Sequence, residues 1–80
     1  MKRKKSRIEV SRQVYLNIAD IMTLFQLDYY KGKRLYDAAN QIDSEELSSF
    51  RIEPRKVRIQ TVCKLADVNL DKLQKQIKNG

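Results

Sequence analysis

The side chains best suited to chemistry in this sequence are cations and tyrosines that can hold a polyanion, and they form two clusters. The first cluster lies within positions 29–34 and comprises Tyr29, Tyr30, Lys31, Lys33 and Arg34. The second lies within positions 51–58 and comprises Arg51, Arg55, Lys56 and Arg58. Arginine pairs with guanine edges in the major groove, while lysine and tyrosine side chains bind phosphate oxygens. Both clusters are therefore candidate binding sites for double-stranded DNA.

The remaining residues do not favour catalytic chemistry. Cys63 is the single cysteine and there is no histidine, which excludes a zinc site of cysteine and histidine ligands and a histidine-based triad. Carboxylates at Asp43, Glu45 and Glu46 are the alternative for a metal or a carboxylate pair, but their polar segment between apolar runs is typical of a solvated linker. We therefore expect no enzyme activity, no catalytic residue, no metal and no cofactor.

The basic residues are concentrated at the two ends of the chain. The formal net charge of +7 divides into +5 for positions 1–14, −3 for positions 15–50 and +5 for positions 51–80. A fold that brings both ends to one side would hold a polyanion at two places. The 80 residues make one domain, with no signal-peptide core and no apolar run of the roughly 20 residues that span a bilayer. We expect a cytoplasmic protein without membrane contact.

The spacing of apolar residues predicts two helices joined by a tight turn. Asn17 is a suitable N-cap for a helix over 18–25, and Asp28 is one for a second helix over 29–42. The polar segment 43–49 either prolongs the second helix or forms a turn of its own. Leu27 is expected to fill the angle between the helices, and Gly32 to permit their close approach. The inner face of the second helix is Gly32, Leu35, Tyr36, Ala39 and Ile42. Its opposite face is Tyr30, Lys33, Arg34, Asp37 and Gln41.

The flanking segments complete a mainly α fold with a small β-hairpin. A short strand ends at Leu16, and an alternating pattern over 50–59 predicts a hairpin with Pro54, Arg55 and Lys56 near its tip. This pattern turns Ile52, Val57 and Ile59 inward. Thr61 is expected to cap a short helix that buries Cys63, and Asn69 to cap a last helix over 70–78. The sequence thus predicts a winged helix-turn-helix over 14–80, preceded by a flexible basic arm over 1–13.

Residues 16–42 resemble the helix-turn-helix of excisionase-type, MerR-like proteins of phages and integrative elements. Leu27, Asp28 and Gly32 occupy the places of the apolar turn residue, the helix cap and the small packing residue in that pattern. Residues 51–68 resemble the wing and short helix that follow, so the resemblance covers about two thirds of the chain. It implies sequence-specific binding to double-stranded DNA, which such a recombination directionality factor shapes for an integrase.

Three other functions fit the same residues. A small transcriptional regulator would use the same DNA contacts, with another DNA-bound protein as partner in place of an integrase. An antirepressor-like adaptor would bind a protein through the aromatic surface of Tyr29, Tyr30 and Tyr36, without DNA. RNA binding would use the arm and the wing. The DNA-binding hypothesis requires Arg55 and Lys56 to project beside the exposed face of the second helix; the site recognised and the oligomeric state stay open.

Overall fold

The fold is mainly helical, with one two-stranded antiparallel sheet. The computed structural model describes residues 5–79 of the chain. Along the chain the elements are α1 Arg7–Ser11, β1 Tyr15–Leu16, α2 Ile18–Phe25, α3 Tyr29–Leu47, a 3-10 helix Ser48–Phe50, β2 Val57–Arg58, α4 Ile59–Leu65 and α5 Leu70–Asn79. The core between them consists of Val10, Leu16, Ile21, Leu24, Ala39, Val57, Ile59, Val62, Cys63 and Leu73.

The N-terminal segment is folded from α1 onwards. A capping box begins this helix, because the Ser6 hydroxyl accepts a hydrogen bond from the Glu9 backbone N–H and the Glu9 carboxylate accepts one from the Ser6 N–H. Val10 is fully buried, and α1 packs against α2 and α5. The prediction of a flexible arm over 1–13 is therefore wrong for α1, while residues 1–4 of that arm lie outside the described residues.

Helices α2 and α3 begin where their caps predict. Asn17 and Asp20 form a capping box at the start of α2, and the Asp28 carboxylate accepts from the Lys31 N–H at 2.9 Å at the start of α3. The three-residue turn between them includes Gln26 in the left-handed conformation, with φ of 55°. A Cβ on Gly32 would stand 2.7 Å from Met22 Cγ, so α3 crosses α2 at van der Waals distance here.

Helix α3 extends beyond residue 42, and the sheet differs from the predicted hairpin. The helix continues through Leu47, so the segment 43–47 prolongs it, which was one of the two alternatives, and is not a solvated linker. Strand β2 pairs with β1, with Leu16 opposite Val57 and Tyr15 opposite Arg58. Residues 50–53 form no strand, and the side chain of Ile52 is 77% exposed. The predicted inward orientation is thus wrong for Ile52 and confirmed for Val57 and Ile59, which are buried.

The C-terminal helices close the core. Helix α4 starts at Ile59, so Thr61 lies within its first turn and does not cap it. Asn69 does cap α5, since its side-chain oxygen accepts from the Lys72 N–H at 3.1 Å. Cys63 is buried as predicted, and burial raises the pKa of its thiol. Helix α5 is fixed to α1 by a hydrogen bond of 2.8 Å from the Gln74 amide to the Ser11 carbonyl.

Candidate nucleic-acid interface

The outward side of α3 carries the first predicted cluster. Gly32 and Ala39 are buried, and the opposite side of the helix exposes the predicted positions Tyr30, Lys33, Arg34, Asp37 and Gln41. This separation follows from the period of 3.6 residues, which puts small residues against α2 and long polar ones in solvent. The first half of α3 therefore presents a continuous polar surface.

Tyr29 and Tyr30 form the aromatic part of this surface. The two rings meet edge to face, with centroids 6.3 Å apart and planes at 71°. Tyr30 is 80% exposed and Tyr29 is 53% exposed, so both phenol groups are open to a partner. Lys31 is exposed on the adjoining flank, one residue before Gly32. All three residues lie in the first turn of α3.

Lys33 and Arg34 differ in how their charges are held. The Lys33 ammonium lies 2.8 Å from the Asp37 carboxylate one turn further along α3. The hydrogen bond to Asp37, with its negative charge, raises the pKa of Lys33. Arg34 forms no ion pair within the described part of the chain. Asp37 therefore orients one cation of this face and leaves the other free to contact a ligand.

The second cluster lies on a loop that is fixed to α3; we call residues 51–56 the basic loop. The Lys56 N–H donates to the Glu53 carbonyl and closes a turn with Pro54 and Arg55 at its centre. The Arg51 guanidinium donates to the Ser44 hydroxyl of α3 at 2.8 Å and to the Lys56 carbonyl at 2.9 Å. Arg51 thus holds the two ends of the basic loop together and against the helix.

One further hydrogen bond sets the position of the loop beside the outward face. The Tyr36 hydroxyl donates to the Arg55 carbonyl at 2.8 Å. Tyr36 is three residues beyond Lys33, so these two side chains are neighbours on the helix surface. Arg34 stands roughly 160° around the helix from Tyr36 at 3.6 residues per turn. The main chain at Arg55 is therefore held on the side of α3 that carries Tyr36 and Lys33, and Arg34 lies on the opposite flank.

Arg58 is part of the fold and not of this surface. Its side chain is 18% exposed, and its guanidinium contacts the carboxylates of both Asp43 and Glu46. The Asp43 oxygen lies 2.9 Å from one guanidinium nitrogen and 3.0 Å from Nε. These ion pairs also raise the pKa of Arg58, because they stabilise its charged form. Arg58 was predicted to belong to the second DNA-binding cluster, but its guanidinium faces carboxylates of α3 and is not open to a ligand.

The sequence analysis did not predict the structural role of Asp43, which is buried and holds Arg58. The Asp43 side chain is 1% exposed, and it accepts hydrogen bonds from the Arg58 backbone N–H at 2.8 Å and from the Thr61 hydroxyl at 2.7 Å. Burial alone raises the pKa of this carboxyl, but the hydrogen bonds from Arg58 and Thr61 outweigh burial and lower it. The available signal was its spacing, since Asp43 continues the inner face four residues beyond Ala39.

The residues of the two predicted clusters thus fall into two groups, those open to a ligand and those that hold the fold together. Residues open to a ligand are Tyr29, Tyr30, Lys31, Lys33, Arg34 and Arg55, with Lys56 half-buried. Arg51 and Arg58 hold the loop and β2 in place.

Among residues 5–79, no three metal-ligating side chains come together, and no helix has the length and apolar character to cross a membrane. Comparison with known proteins found no matching family model, no similar curated protein and no similar solved structure.

Proposed function

We propose that this protein binds double-stranded DNA as a winged helix-turn-helix. In this proposal α2 and α3 are the two helices of the motif, α3 enters the major groove, and the basic loop is the wing. The observation that carries the proposal is the hydrogen bond from the Tyr36 hydroxyl to the Arg55 carbonyl, because it holds the basic loop at the edge of the exposed face of α3 that carries Lys33. One duplex can then touch both cationic clusters at once.

Each exposed residue has a defined role in this proposal. Arg34 is unpaired within the described residues and has the donor geometry to pair with guanine O6 and N7. Lys33 and Lys31 bind phosphates along the groove, and Tyr30 contacts a base edge or a thymine methyl group. Arg55, at the centre of the turn, reaches the neighbouring minor groove or its phosphates. DNA affinity then depends steeply on salt, because each phosphate contact releases counterions.

We propose further that the DNA is a recombination site of a mobile element. The support is the resemblance of residues 16–42 to excisionase-type proteins, together with the capped helices and the close approach at Gly32 that this segment forms. An excisionase-like protein acts in the cytoplasm beside an integrase, so an integrase is the expected protein partner. A small transcriptional regulator would use the same DNA contacts with a different partner.

A protein-interaction adaptor is the second candidate function. The observation that favours it is the exposure of Phe50 and Ile52, which are 85% and 77% accessible on the segment that follows α3. Large apolar side chains so open to solvent are more typical of a protein interface than of a phosphate-binding loop. In this function the basic loop would carry the interface and DNA affinity would be weak.

Equilibrium binding to a labelled random-sequence duplex, at about 50 and about 200 mM salt, separates the two functions. The double variant Lys33→Gln/Arg34→Gln should lose about tenfold or more in DNA affinity, and Arg55→Gln/Lys56→Gln should lose a comparable factor, since each removes two cations. Lys64→Gln, an exposed lysine of α4, is the matched control and should bind like the wild type. If both double variants bind as the control does, the DNA-binding proposal is wrong. Weak binding by the wild-type chain at about 50 mM salt, with no difference between it and the variants, would favour the adaptor.

A further inference from the structure

A second group of cations lies away from α3, in the concavity between α1 and α5. We call Arg12, Lys75 and Lys78 the α1–α5 cluster. The concavity that they share is lined by Ile8, Arg12, Asp71, Gln74, Lys75 and Lys78. Three cations therefore face one carboxylate in a shallow groove, which is the charge balance of a polyanion-binding surface.

The cluster is carried by well-anchored backbone. Arg12 is the C-cap of α1, and its N–H donates to the carbonyls of Glu9 and Val10. Lys75 directly follows Gln74, whose amide is bonded to the Ser11 carbonyl at 2.8 Å and so joins α5 to α1. Leu73 is 7% exposed and fixes the other side of α5 in the core. The three cations are thus held at defined places along both edges of the groove.

The charges of the cluster are not neutralised within the described chain. The ion pairs among residues 5–79 use Lys5, Lys33 and Arg58 as their cations. Arg12, Lys75 and Lys78 are all exposed and take part in none of these pairs. The two lysines interact favourably with the helix dipole of α5, because they lie near its C-terminus. The same interaction applies to Arg12 at the C-cap of α1, but it does not explain why cations from the ends of two helices line one groove.

The cluster and the exposed face of α3 lie on different sides of α2. Helix α3 meets α2 at Met22 and Ile18, whose side chains lie against Gly32. The segments on either side of α1 meet α2 at Asp20 instead, which accepts from the Lys5 ammonium at 3.3 Å and from the Gln13 amide at 3.0 Å. Asp20 stands roughly 160° to 200° around the helix from Met22 and Ile18. The contacts of α2 with α3 and with the segments flanking α1 are therefore on opposite sides of α2, so a straight duplex bound along the exposed face of α3 would run on the far side of α2 from α1.

We propose that the α1–α5 cluster binds the phosphate backbone of a second DNA segment, so that one protein molecule connects two segments of DNA. The proposal rests on the proposed function, which assigns the first segment to α3 and the basic loop. The second contact involves phosphates, because the groove offers three cations and its one amide, that of Gln74, already donates to the Ser11 carbonyl. Sequence specificity then resides in α3, and the joining of segments resides in α1 and α5.

The test captures a fluorescent duplex on beads that carry a second, unlabelled duplex, using the full chain at a protein concentration where light scattering gives a monomer. Wild-type protein should retain the fluorescent duplex. Two variants test the cluster: Lys75→Gln/Lys78→Gln, and the same pair with Arg12→Gln added. Each should reduce capture by roughly fivefold or more, while its affinity for one short duplex in solution changes by less than about twofold. Lys72→Gln is the control, because this exposed lysine lies on α5 outside the groove.

The outcomes keep the two proposals apart. Capture by the cluster variants at the wild-type level overturns the second DNA contact, and so does capture that occurs only where scattering gives a dimer. If Lys33→Gln/Arg34→Gln leaves single-duplex affinity intact and the cluster variants abolish it, the proposed function of α3 fails and the α1–α5 cluster is the DNA site. Thermal unfolding of each variant shows that a loss of capture is not a loss of fold.

Discussion

The two halves of α3 use charge in opposite ways. In the first half, Lys33 and Arg34 stand in solvent, and the one carboxylate near them, Asp37, is itself exposed. In the second half, Asp43 is buried and holds Arg58, and Glu46 completes the ion pair from the surface. The same residue types are therefore open to a ligand in one half and hold the fold together in the other. The comparison teaches that a cation's role is decided by whether a buried carboxylate faces it.

The largest expected effect comes from removing the buried carboxylate. Asp43→Ala leaves the Arg58 guanidinium without its buried partner and the Thr61 hydroxyl without an acceptor, so the free energy of unfolding should fall by about 3 kcal/mol or more. Urea denaturation followed by circular dichroism measures this. Asp37→Ala, the exposed counterpart in the first half of α3, should leave the unfolding midpoint unchanged. Equal effects of the two substitutions would erase the distinction between the halves.

The packing of the first half against α2 predicts a smaller loss. Gly32→Val places side-chain atoms where Met22 Cγ stands only 2.7 Å from a Cβ, and overpacking of this kind costs about 1–3 kcal/mol. Thermal denaturation should show the loss, and Met22→Ala in the same chain should recover part of it by opening space. If Gly32→Val is as stable as the wild type, the two helices do not pack as closely as described.

Acid should destabilise the fold through Asp43, in the second half of α3. The pKa of Asp43 is lowered in the folded chain, so between its folded value and its ordinary value near 3.8 the unfolded chain binds more protons. The stabilising contribution of Asp43 is therefore complete above that ordinary value and is lost as pH falls through the folded pKa. Denaturation midpoints measured from pH 6 to pH 2 should fall less steeply in Asp43→Asn than in the wild type. Parallel curves would show that another carboxyl group is responsible.

The smallest effect is a gain of DNA affinity. Asp37→Asn removes the negative charge beside Lys33 without changing the shape of the side chain, and affinity for a duplex should rise by roughly threefold at low salt. Fluorescence anisotropy at two salt concentrations measures the gain and its decrease with salt. Weaker binding by this variant would mean that Asp37 itself contacts a base, for example a cytosine amine.

Local signals in the sequence predicted the parts of the fold that local interactions decide. Asn17, Asp28 and Asn69 cap their helices as predicted, because a cap depends on a side chain and a backbone N–H within three residues. The Ser6–Glu9 capping box carried the same kind of signal for α1, but the surrounding cations favoured a flexible arm instead. A short helix amid basic residues was therefore predictable from its cap and was missed.

Long-range pairing decided the parts that sequence did not predict. The alternating pattern over 50–59 indicated two adjacent strands, whereas β2 pairs with Tyr15–Leu16, some forty residues earlier. The same limit applies to the site. The period of α3 identified Lys33 and Arg34 as exposed, but no pattern within one segment shows that Arg58 meets Asp43 across 15 residues of chain.

The basic loop is attached to α3 through its main chain. Tyr36 donates to the carbonyl of Arg55 and Arg51 donates to the carbonyl of Lys56, so neither bond depends on which side chain stands at positions 55 and 56. Substitutions there can change the side chains that the loop presents while the loop keeps its place. Under the proposed function, DNA recognition is therefore open to change, in evolution or by design, at two positions whose side chains do not anchor the loop.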